Sequence, residues 1–143
     1  MENDIPMLNS IRRTTQMGCY GIKSVMNETV NRDFRNALRA QLNEYEQIYT
    51  EADQLLREHG GRARNLSPMA RYGAALSAKM RVRTSLDPTA KIAEMMLQGS
   101  AKGMIKSMQN IRTMGVLDPK VSTLSKRLLQ TEQANFKQMK QYL

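Results

Sequence analysis

Apolar residues in this chain recur by threes and fours rather than by twos, and they do so in four segments of similar length. Segment 121–143 is the clearest. Wound as a helix, it puts Val121, Leu124, Leu128, Glu132, Asn135, Met139 and Tyr142 on one face, an apolar stripe with a carboxylate and an amide in its middle. Phe34, Leu38, Gln41, Tyr45, Ile48, Ala52 and Leu55 form the same kind of stripe, as do Leu8, Ile11, Thr15, Gly18, Ile22 and Val25. A helical period cannot sit as a strand without turning apolar groups to both faces. The chain is therefore expected to be all-α.

Caps and breakers divide it. Asp4 with Pro6, Asn31, Ser67-Pro68, Asp87-Pro88 and Asp118-Pro119 read as helix starts, because a short polar side chain can bond the free N–H groups of the first turn. Gly60-Gly61 and Gly115 read as stops, with His59 beside the last carbonyls of its helix as a C-terminal cap. The expected helices run over about 5–27, 32–59, 68–83, 88–113 and 119–142, all within one domain, 1–143. Short turns make hairpins of the first two and the last two. The stretch 60–86 is long enough to cross from one end of such a bundle to the other. Two hairpins joined by one long crossover are the ferritin-like connection. The expected fold is thus a ferritin-like four-helix bundle with a short extra helix in the crossover between the second and third bundle helices. That short helix carries Met69, Tyr72, Gly73, Leu76 and Met80 on one side.

Composition supports helices. There is no Trp, Phe occurs twice and Met twelve times, so the core is built from Leu, Ile, Met and Ala. Segment 88–113 is apolar around much of its girth, through Ile92, Met95, Met96, Leu97, Met104, Ile105, Met108 and Ile111. Such a helix is expected to pack against more than one neighbour, and Gly99, Ser100 and Gly103 would let another backbone approach. Its Met residues also suggest a face for self-association, so a homo-oligomer through the Met-rich helix 88–113 is expected.

Charge is uneven. The net charge is +9, but residues 1–58 hold nine acids against seven bases, while residues 59–143 hold four against fifteen. Arg62, Arg64, Arg71, Lys79, Arg81 and Arg83 follow one another with no acid between them. They form a candidate surface for nucleic acid or another anionic partner, against the simpler reading of a solvated face. With Tyr72 the one aromatic among them, binding to nucleic acid would be non-specific.

Several chemistries find no residues. One Cys excludes a disulfide framework and a multi-Cys metal site, and Cys19 reads as a small packing residue. A single His leaves no Ser-His-Asp set, and no Gly-rich phosphate loop is present. There is no apolar run long enough for a membrane span and no apolar leader at the N-terminus, so a cytoplasmic location is expected.

The segment Ser67-Pro68-Met69-Ala70-Arg71 with Gly73 and Met80, the segment 92–103 with Gly99 and Gly103, and the end 132–143 resemble a family of small uncharacterised ferritin-like bundle proteins of Clostridia and related Gram-positive bacteria. More loosely, the first hairpin is similar to spore-coat proteins of the coat-protein F type. The resemblance implies a ferritin-like fold and a possible association with spores. It brings no defined activity.

A di-iron bundle needs a carboxylate from each of two helices and a Glu-x-x-His from each of the other two. Here Glu132 and Asn135 stand where Glu and His would, with Glu44 at the edge of its seam and Glu94 facing inward only if its helix is buried on several sides. Two readings follow. Gln41, Tyr45, Glu132 and Asn135 form a buried polar layer that fixes helix register, with no cofactor. Alternatively Glu44, Glu94 and Glu132 hold one divalent metal ion. No catalytic residue emerges, and the expected function is that of a non-enzymatic structural or interaction protein. The alternatives are a metal-binding or redox bundle with a degenerate carboxylate site and a basic anion-binding module.

Overall fold

The computed structural model describes residues 1–65 and 67–143, together with the side chains of all of these except residues 68–72. Five helices follow one another: α1 Asp4–Val25, α2 Arg32–Glu58, α3 Pro68–Arg83, α4 Pro88–Thr113 and α5 Pro119–Lys140. Among the described residues there is no strand.

The helix starts are set by side chains. Asn31 accepts from the Phe34 N–H at 2.9 Å, Asp87 from Ala90 at 3.1 Å and Asp118 from Lys120 at 2.9 Å. Each satisfies a backbone donor that has no partner within its helix. Asp4 does something else. Asn3 holds the N-cap position of α1, and the Asp4 carboxylate accepts from the Asp118 N–H at 2.8 Å, tying the start of α1 to the start of α5. His59 bonds the Leu55 carbonyl through Nδ1 at 2.7 Å and brings Nε2 within 3.6 Å of Asp4, so the end of α2 joins the same knot. Positive φ at Gly60 and Gly115 lets the chain turn sharply after α2 and α4.

The helices form two antiparallel hairpins, α1 with α2 and α4 with α5, and α2 also packs on α5. At the opposite end from the Asp4 knot, Phe34 of α2 meets Tyr142 beyond α5, with ring centroids 4.7 Å apart. Thr29 and Thr89 hydroxyls bond there at 2.7 Å. The crossover therefore runs the length of the bundle, and α3 climbs parallel to α1 within it. This is the ferritin-like up-down-down-up arrangement. Between the seams lie fully buried Leu8, Ile22, Phe34, Leu38, Ile48, Ile92, Leu124 and Met139. Each such side chain contributes about 2 kcal/mol of burial.

Helix α4 packs against α5, α1 and α3, in line with its broad apolar girth; α1 likewise has more than one neighbour, with α2 and α3 both against it, and Asn9 and Arg12 are buried as well as its seam. Helix α4 buries one stripe, Ile92, Ala93, Leu97, Ser100, Gly103, Ser107 and Asn110, and leaves Ile105 and Met108 about half exposed. Helix α3 docks through Ala78 and Val82, with Leu76 and Met80 turned outward. Of the side that carries Met69, Tyr72, Gly73, Leu76 and Met80, the Met69 and Tyr72 side chains lie outside those described.

Candidate functional site

Midway along the bundle, α5 presents Glu132 and Asn135 to the interior, α2 presents Tyr45 and α4 presents Ser100. All four are buried, Glu132 to 1 % exposure. Their placement follows from the three-and-four spacing of each seam, which lets a polar residue replace an apolar one without leaving the stripe. Glu132 and Asn135, three apart, are stacked on the same side of α5.

Two glycines make room for the layer. A methyl group on Gly18 of α1 would lie 2.7–2.9 Å from three carbons of the Tyr45 ring. The ring thus fills the space that an α1 side chain would take, and its hydroxyl lies near enough to Glu132, Asn135 and Ser100 to feel all three. A methyl on Gly103 of α4 would collide with the Glu132 carboxylate. Gly103 therefore admits a side chain rather than the backbone approach expected of it, while Gly99 faces open space.

Electrostatics follow from burial. Removal from water favours the neutral form, so the Glu132 carboxyl is pushed up to about 7, against a smaller opposing effect of the Tyr45 hydroxyl. Burial raises the Tyr45 phenol as well, and the negative charge of Glu132 adds to it. Glu132 Oε1 and Asn135 Nδ2 are fully enclosed and find no hydrogen-bond partner among the described residues.

The other sequence-derived candidates lie elsewhere. Gln41 is buried but donates to Gln138 Oε1 at 2.8 Å, one turn away from the layer. Glu44 accepts from Arg127 Nε at 3.0 Å on the flank between α2 and α5, where Arg127 also reaches Gln47 and Glu51. Glu94 pairs with Lys91 at 3.1 Å, outward because α4 buries a single stripe. The grouping of Glu44, Glu94 and Glu132 is thus corrected: two of the three are surface carboxylates already matched to cations. Among the described residues no cluster of three or more His, Cys, Asp or Glu side chains is placed to hold a metal ion. One enclosed carboxylate with an amide, a phenol and a hydroxyl does not fit a di-iron centre, which needs several carboxylates and two imidazoles. Cys19 is buried between α1 and α2, and burial pushes its thiol up to about 11, away from the reactive thiolate.

The basic set is scattered. Arg62, Arg64 and Arg81 are exposed, Lys79 is half-buried, and Arg83 grips both oxygens of Glu28 at 3.0 and 3.2 Å. The Arg71 side chain lies outside those described. The sequence reading missed Arg12 altogether. Its guanidinium, 2 % exposed, donates to Asp53 at 3.0 Å, Tyr49 at 2.9 Å, Asn65 at 3.2 Å and the Arg64 carbonyl at 3.5 Å. Asn9, one turn before it, receives the Arg64 N–H and donates to the Arg62 carbonyl, each at 3.3 Å. Together they fasten the crossover loop to α1. An Arg one position off an apolar stripe reads as solvated, and only the loop that covers it reverses that.

Family models and curated proteins give no match to this chain. Among solved structures it is similar to the stress protein YciF of E. coli, with a TM-score of 0.75, 16% identity, and coverage of 98% of this chain and 91% of that one. It is also similar to YcfI of Rhodopseudomonas palustris, provisionally described as a structural protein, with a TM-score of 0.74, 17% identity, and coverage of 94% and 90%. At such identities the likeness is one of fold: the all-helical, ferritin-like bundle.

Proposed function

We propose that this chain is a non-enzymatic ferritin-like bundle that serves as a structural or interaction protein in the cytoplasm and associates with further copies of itself through α4. The observation that carries the reading is the make-up of the interior layer. Where a metal-bearing bundle gathers several carboxylates, Glu132 is the one acid here, enclosed by Tyr45, Ser100 and Asn135 and seated on Gly103. A lone enclosed carboxyl, held up near neutrality, serves best as a register-fixing polar contact between α2, α4 and α5. Two solved relatives in fold, one described as a stress protein and one provisionally as structural, are compatible with that role. The half-exposed Ile105 and Met108 support α4 as the self-associating face.

The test is metal content. The protein is incubated with ferrous iron, manganese or zinc and passed through a desalting column. The reading expects no stoichiometric metal to be retained and Glu132→Ala to alter stability alone. Metal retained in proportion to chain, and lost in Glu132→Ala, would overturn it in favour of a residual metal site.

A further inference from the structure

Beyond that role, the outer surface holds a groove of about 250 Å³ between the first turns of α1, the crossover loop and the last turns of α4. Ile5, Pro6 and Met114 give it an apolar lining, and Asn9, Ser10, Asn110, Arg13, Arg64 and Lys106 a polar one. No acid lines it. The three cations come from three different elements, are exposed, and have no carboxylate partner among the described residues.

The groove is held in shape. Asn9 and the buried Arg12 pin the backbone of Arg62 and Arg64, so the Arg64 side chain is carried on a fixed strut rather than a free loop. Asn110, itself buried, donates to Ser10 Oγ at 2.7 Å. That leaves the Ser10 hydroxyl proton, which has no acceptor among the described residues, available to a ligand in the groove. We propose that this groove is a binding site for a compact phosphorylated small molecule, its phosphate held by Arg13, Arg64 and Lys106 with Ser10 donating and its body resting on Ile5, Pro6 and Met114.

Three physical points favour that class. A concavity lined by one sign of charge focuses the field and concentrates anions there. Guanidinium forks match phosphate oxygens in pairs, and Lys adds a point charge. The size selects the ligand: sites for drug-sized molecules run to roughly 300–1,000 Å³, so a smaller groove suits a phosphate with a small body. A nucleic-acid strand instead wants cations tracking along a stripe with aromatic platforms. Here the three cations border a single groove rather than a long stripe, and no aromatic residue lines it.

Isothermal titration with inorganic pyrophosphate at constant ionic strength tests the site, with circular dichroism to verify the fold of each variant. Single-site saturable binding is expected, weakened by about tenfold in Arg13→Ala and again in Lys106→Ala, as loss of a charged hydrogen bond implies. Arg39→Ala, an exposed cation on α2 outside the groove, is expected to leave it unchanged. Absence of saturable binding, or equal weakening by Arg39→Ala, would overturn the proposal and leave only the general +9 charge. So would a short oligothymidylate that binds more tightly than pyrophosphate and loses affinity equally in all three variants, since that is nucleic-acid binding by the surface at large.

Discussion

A carboxyl enclosed among helices costs free energy once it ionises, and Glu132 shows the consequence in pH. Its folded value of about 7 lies above the 4.5 of an exposed Glu, so the native state holds the proton more tightly than the unfolded chain does. The Glu132 contribution to stability is therefore fully present below pH about 4.5, falls as pH rises through the window, and is lost, by about 3 kcal/mol, above 7. Urea unfolding of the wild type and Glu132→Gln at pH 5 and 8 should show the difference between them shifting towards the variant as pH rises. A difference that is flat with pH would contradict the enclosed carboxyl. The glycines give a second residue-level prediction. Gly18→Ala drives a methyl into the rigid Tyr45 ring and should cost about 1–3 kcal/mol, while Gly21→Ala meets open space and should gain about 1 kcal/mol from helix propensity. Thermal melts of the two variants moving in the same direction would sink that contrast. The carboxylate and amide of the layer were legible in the sequence from their place in the α5 stripe. Ser100 and the two glycine seats were not, since a small residue on a helix does not announce which side chain will occupy the space it leaves.

At the scale of the element, α1 carries more than a seam. Arg12 and Asn9 turn its outer flank into the anchor of the crossover, joining Tyr49 and Asp53 of α2 to the loop at Arg64 and Asn65. Truncating a buried guanidinium leaves several groups short of a partner, although Asp53 keeps Arg57 at 2.8 Å. Arg12→Ala should destabilise by about 2–4 kcal/mol and should speed tryptic cleavage after Arg62 and Arg64, whereas Arg39→Ala should do neither. Unchanged cleavage at the loop would mean that the anchor holds nothing. Helix starts were legible because their cause is local: Asn31, Asp87 and Asp118 act within three residues of themselves. Asp4 escaped that logic, since its partner lies 114 residues away on the backbone of α5.

For the whole molecule, the exposed strip on α4 predicts the state of assembly. Light scattering should find an oligomer that Ile105→Lys with Met108→Lys converts to monomer with its helical circular dichroism intact, and a wild type that is already monomeric would remove α4 as an interface. The sequence by itself determined the helices, their order and the long crossover, because periodicity, caps and linker length act over a few residues and restrict the ways two hairpins can be joined. The tertiary structure alone decided which flank α3 would cover. Long-range packing also buried Arg12 beneath the crossover loop, turned Leu76 and Met80 to solvent, left α4 with one buried stripe, and set Glu44 and Glu94 beside surface cations. The reason is that a helix with apolar groups on more than one side can dock by either, and the selection depends on summed packing and hydrogen bonds between segments far apart in the chain.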